Sequence, residues 1–176
     1  MRVRFGAPVL ACAALAACST ERPEPGMAPA STLQSISVQT NSWGKPITDW
    51  TIGRDGKGRY TFSRDVPGGR FRDYDLVTKR FAVGAADFAR VEALLAGARA
   101  YAGGAIPCTL QISDGLYGRI AWSEGGEALG VPFNVGCLSP TANAIYRQLH
   151  DAREHVKSLA EAGETIEVKE VREPRG

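Results

Sequence analysis

The sequence predicts an α+β domain, a two-layer antiparallel sheet with two helices on one face, and three observations predict it. Apolar residues alternate through several short segments, the period of half-buried strands. Two longer segments carry apolar residues three and four apart, the period of a helix packed by one face. In each half of the chain the strand patterns precede the helix pattern. The composition agrees, since 176 residues at 44% hydrophobic and 23% charged suit a single globular domain.

The elements follow in order. Strands fall at 35–40, 48–52, 59–62 and 74–83, with Trp50 and Ile52, then Tyr60 and Phe62, each pair pointing to one side. A helix at 85–99 sets Phe88, Val91, Leu94, Leu95 and Ala98 on one stripe, with Asp87 in its first turn and Arg99 in its last, as the helix dipole favours. Strand patterns return at 109–113, 117–122 and 128–135, where Ile120 and Trp122, then Leu129, Val131, Phe133 and Val135, alternate. A second helix at 140–162 begins with Ser139 as cap and Pro140 in the first turn, and stops before Gly163. Its stripe of Ala142, Ile145, Leu149, Ala152, Val156 and Leu159 spans under three heptads, which fits a helix on the sheet better than a coiled-coil partner. Residues 165–171 either add an edge strand kept soluble by Glu164, Glu167, Lys169, Glu170 and Arg172, or fray.

An internal recurrence runs through this order. Ile52 followed by Asp55-Gly56-Lys57-Gly58-Arg59-Tyr60-Thr61-Phe62 matches Ile112 followed by Asp114-Gly115-Leu116-Tyr117-Gly118-Arg119-Ile120-Ala121-Trp122, with one extra residue after the first Gly. Phe81-Ala82-Val83-Gly84 matches Phe133-Asn134-Val135-Gly136. Either a β-β-β-α unit is duplicated, or similar turn chemistry has arisen twice.

The first eighteen residues bear on location. Arg2 and Arg4 precede a mostly apolar stretch ending in Leu15-Ala16-Ala17-Cys18, too short to span a membrane, which takes about 20 residues. Leu15-Ala16-Ala17-Cys18 resembles the lipobox of bacterial lipoproteins. The resemblance implies removal of residues 1–17 as a signal peptide, lipidation of Cys18 and a membrane partner through that anchor, and Ser19 after it implies the outer membrane, facing the periplasm. Residues 18–32 then form a Pro-rich disordered tether, 33–171 the domain and 172–176 a tail. Removing Arg2 and Arg4 leaves 19 basic against 19 acidic residues, so the chain carries no electrostatic footprint for nucleic acid.

After processing and lipidation of Cys18, two free thiols remain, Cys108 and Cys137, and an oxidising compartment predicts that they pair. A plain meander of 109–113, 117–122 and 128–135 opposes this, because it would separate the thiols by a strand of about 17 Å where bridged Cα atoms lie within about 7 Å. The strand at 109–113 is therefore expected to bend or to pair elsewhere, for instance beside a strand of the first half.

Chemistry is sparse. No nucleophile elbow, phosphate loop, dinucleotide fingerprint or HExxH motif occurs, and nothing calls for a cofactor or a metal. His150 and His155 diverge by about 140° on one helix and read as exposed. The loop at 66–74, with Arg70, Phe71 and Arg72, is the first choice for contact with an envelope protein. The expected function is a non-catalytic binding, inhibitory or assembly-accessory module of the envelope, using this loop or an uncovered sheet face. The alternative is a hydrolase of an envelope polymer, with Asp73, Asp75 or Asp114 near a second acid.

Overall fold

A computed structural model of the chain describes residues 32–112 and 114–174, so the expected signal peptide, Cys18 and the expected tether up to residue 31 lie outside the described residues. The strands β1 (Leu33–Ser42), β2 (Lys45–Gly53), β3 (Lys57–Asp65) and β4 (Tyr74–Ala82) precede α1 (Ala85–Leu94) and the short α2 (Ala96–Arg99). Then come β5 (Leu110–Gln111), β6 (Tyr117–Glu124), β7 (Glu127–Asn134), β8 (Cys137–Leu138), α3 (Pro140–Glu161) and β9 (Glu164–Val171). Seven strands form one antiparallel sheet in the order β7-β6-β1-β2-β3-β4-β9, while β5 and β8 form a separate ribbon. The fold is α+β with helices on one side of the sheet. Ile36, Val38, Trp50, Ile52, Ile120 and Trp122 on the strands share one core with Phe88, Val91, Leu95, Ile145, Leu149 and Val156 on the helices.

The helix expected over 85–99 is interrupted at Leu95, where φ and ψ are −95° and 4°. Its backbone still accepts from Arg99 N–H and donates to Val91, so the break is a kink in one helical path. α3 begins as expected, with Ser139 Oγ accepting from Ala142 N–H at 3.0 Å. The same hydroxyl donates to the Pro107 carbonyl at 2.8 Å, pinning the chain before Cys108 to the start of the helix. At the other end Lys79 Nζ donates to the Ala160 and Glu161 carbonyls at 3.0 and 2.9 Å, satisfying acceptors that a helix terminus leaves open. His155 corrects the expectation of two exposed histidines. Its side chain is largely buried, and Nε2 lies 3.1 Å from Asp87 Oδ1, joining α3 to α1.

The strand expected at 109–113 is also corrected. Among the described residues of this segment the strand covers Leu110 and Gln111, which pair with Leu138 and Cys137 of β8 rather than with β6 or a strand of the first half. The place beside β6 belongs to β1, which pairs with it from Leu33 to Asn41. This displacement removes the conflict between disulfide and meander. Cys108 and Cys137 are bonded, with Cα atoms 5.4 Å apart.

The recurrence holds for β-β-α and fails for the strand before it. Gly58 faces Phe81 across β3 and β4, and Gly118 faces Phe133 across β6 and β7, so the two matched sequence blocks pair in the same register in both hairpins. Val83 N–H donates to Gly56 O at 2.9 Å, and its counterpart Val135 N–H donates to Leu116 O at 2.8 Å. Each Phe ring lies over its cross-strand Gly, where a Cβ would strike it. Asp55-Gly56 closes the β2–β3 hairpin, whereas Asp114-Gly115 closes none, because β5 has left the sheet.

Gly118 is the tighter of the two glycines, since a Cβ there would also enter the backbone oxygen of Gln39 on the neighbouring strand. Gly118→Ala is expected to lower stability by about 3 kcal/mol, and Gly58→Ala by less because the Phe81 ring can turn aside. Urea unfolding of the two variants checks the order.

Candidate functional site

The chain enters β1 at Leu33, and the opposite end of that strand leads into the Trp43-Gly44 turn. The 66–73 loop between β3 and β4 lies at this same end. So does Tyr117 at the start of β6, which pairs with Asn41, and so does Val171 at the end of β9, which pairs with Tyr74. Four separate parts of the chain thus meet at one end of the sheet.

Trp43 and Gly44 have φ of 50° and 77°, the paired positive angles of a two-residue hairpin turn that favours Asn or Gly at both positions. Trp43 occupies the first of them with 66% of its surface exposed. Gly44 N–H donates to the Tyr117 hydroxyl at 3.1 Å, tying the turn to β6. Lys45 follows, only 8% exposed, and its ammonium is paired with Asp65. The same ammonium stands 5.3 Å from the Phe71 ring centre and 5.0 Å from that of Tyr74, so one buried cation holds two aromatic rings together.

The loop is two consecutive turns. Gly69 N–H returns to Val66 O at 2.9 Å around Pro67 and Gly68, whose φ is 71°, a type II turn by residue choice. Asp73 N–H then returns to Arg70 O at 2.9 Å, which places Phe71 and Arg72 at the projecting centre of the second turn. Phe71 remains 56% exposed. Asp73 accepts from the backbone N–H of Arg70 at 3.0 Å and of Glu173 at 2.8 Å, and Arg70 Nη2 donates to Glu173 O at 3.1 Å. Arg172 donates to Tyr74 O and Asp75 Oδ1, both at 2.8 Å, and Arg64 reaches Asp75 Oδ2 at 2.9 Å. Residues 172–174, expected as a tail, are therefore bound back against the loop. A cleft of roughly 480 Å³ results, lined by Gly44, Lys45, Arg72, Tyr74, Arg172 and Glu173 among others.

Of the three residues expected to meet a partner, the structure separates their duties. Arg70 braces the loop against Glu173 and Asp73. Phe71 is fixed from beneath by Lys45, and Arg72 makes no ion pair or side-chain hydrogen bond among the described residues. Sequence reasoning missed Trp43 and Lys45. The available signal was a residue followed by Gly between two strand patterns, but Trp in place of Asn or Gly hides the turn.

Two of the carboxylates suggested for hydrolysis, Asp73 and Asp75, are held ionised. Hydrogen bonds from the Glu173 and Arg70 backbone lower the Asp73 pKa, and those from the Arg172 and Arg64 side chains lower that of Asp75. A general acid needs the opposite shift. Among the described residues no cluster of three or more His, Cys, Asp or Glu side chains could hold a metal ion, and no helix is long and apolar enough to cross a membrane. Comparison with family models, with curated proteins and with solved structures finds no match to this chain.

Trp43→Asn should stabilise the domain by on the order of 1 kcal/mol, because Asn tolerates the left-handed conformation that a bulky side chain resists. Thermal unfolding with the two proteins side by side measures it. Acid should free the tail late. A carboxylate whose folded pKa is depressed contributes stability above its unfolded pKa and loses it as pH falls through the lower, folded value. The Glu173 amide resonance should thus hold its position as pH falls to 3.8, the ordinary value for these carboxyls, and move only below it.

Proposed function

We propose that this chain is an outer-membrane-anchored lipoprotein facing the periplasm of a bacterial envelope, and that its domain is a non-catalytic binding, inhibitory or assembly-accessory module. The observation that carries the reading is the exposed Trp43, Phe71 and Arg72 group at the end of the sheet opposite the chain's entry at Leu33. A ten-residue β1 separates the two by roughly 33 Å.

Two further features support the reading. Leu15-Ala16-Ala17-Cys18 carries the likeness to a lipobox, and the Cys108–Cys137 bond fits a compartment in which thiols oxidise. The hydrolase alternative draws less support, since Asp73 and Asp75 are both engaged by cations and backbone donors.

The precursor expressed with its own signal in a Gram-negative host should incorporate labelled palmitate and fractionate with the outer membrane. Cys18→Ala should remain unlabelled and leave the membrane fraction. Wild-type protein that takes up no label would sink the anchoring proposal.

A further inference from the structure

We infer that Trp43, Phe71 and Arg72 are the anchors of a protein-docking surface, and that the partner presents a carboxylate beside an apolar side chain. The inference rests on the binding-module reading of the same end of the sheet, and adds the chemistry of what binds there.

Trp43 is explained neither by the core nor by its turn. It leaves 66% of its surface in solvent, and its φ of 50° is one that Asn or Gly would adopt with less strain. A residue that breaks the local rule without gaining burial marks a contact made outside the chain. Phe71, 56% exposed, offers a second ring whose position is already set by Lys45 beneath it, so little freedom is lost when a partner covers it.

The charges decide the class of partner. Lys45, Arg64, Arg70 and Arg172 are engaged by Asp65, Asp73, Asp75, Glu170 and Glu173, and Arg72 alone among these cations has no carboxylate. A nucleic acid or an anionic lipid surface draws its affinity from many unpaired cations, whereas among the described residues that line this cleft Lys45 and Arg172 are paired and Arg72 alone is not. An unpaired guanidinium at the same end of the sheet as two exposed aromatic residues, bordered by compensated ion pairs, is instead the composition of a protein interface, in which Trp and Arg are enriched at the centre and the rim is polar. The guanidinium fork of Arg72 suits a carboxylate, and the exposed rings at the same end of the sheet suit an apolar side chain near it.

The test is selection of a phage-displayed random-peptide library on the purified full chain. Recovered peptides should share an Asp or Glu adjacent to an aromatic or branched residue. Their affinity should fall at least about tenfold on Trp43→Asn, a variant expected to fold more stably than wild type, and equally on Arg72→Glu. Reselection on Arg72→Glu should replace the acid by Lys or Arg. Arg147→Glu, the same charge change on α3, should leave affinity within about twofold. A library that gives no binder, binders without the acid, or binders indifferent to Trp43→Asn and Arg72→Glu overturns the inference. The selection needs no lipid, so an unmodified Cys18 would remove the anchoring proposal and leave this one standing.

Discussion

The structure depends on β1, the first strand of the domain, being hydrogen-bonded on both sides. It pairs with β2 next to it in sequence and with β6 from the far half, so one strand joins two hairpins that would otherwise each present an open edge. Val38 stands between Trp50 and Ile120, and Ile36 between Ile52 and Trp122. These side chains form the centre of the face on which the helices pack, and they are completely or almost completely buried. The two recurring hairpins, β3–β4 and β6–β7, thus lie on opposite sides of the adjacent strands β1 and β2. The contact is also the costly one to form, because the long segment between β1 and β6 must close before the β6–β7 hairpin gains its neighbour in the sheet.

Occupation of that place by β1 accounts for the irregular part of the fold. β5 is left without a place in the main sheet and keeps only two ladder partners on β8. So short a ribbon has little stability of its own, and two other constraints hold it. The Cys108–Cys137 bond closes a loop with a sequence separation of 29, and Ser139 fastens Pro107 while capping α3. A single serine hydroxyl thus serves both the helix start and the segment that carries the disulfide.

At the far end of the sheet, local preference and exposure conflict. The Trp43-Gly44 turn holds its conformation because β1 and β2 pair directly up to Ser42 and Lys45, and because Tyr117 takes the Gly44 amide. Lys45 is placed where a lysine ordinarily would not be, largely buried, and tolerates it through Asp65 and the faces of Phe71 and Tyr74. The loop and the tail then lock one another through Arg70, Asp73 and Glu173. The rigid surroundings leave Trp43, Phe71 and Arg72 as the groups with unused binding capacity.

Much of the architecture was legible in single residues. The alternation around Trp50, Tyr60, Ile120 and Val131 marked strands within a few residues of their ends, and Ser139-Pro140 and Gly163 marked both limits of α3. The two turns of the 66–73 loop were legible as a loop because Pro67, Gly68 and Gly69 favour no other structure. Trp43 was not, because its side chain contradicts its own turn, and neither was the union of His155 with Asp87, whose partners are far apart in sequence. Which segments are strands and helices, and which face of each is apolar, was readable from local periodicity, which acts within a few residues. That β1 displaces β5 beside β6, that the cysteines meet, and that four separate segments come together at one end of the sheet follow from the packing of the whole chain. Every strand offers the same backbone donors and acceptors, so the choice of neighbour is settled by how all the apolar faces pack at once.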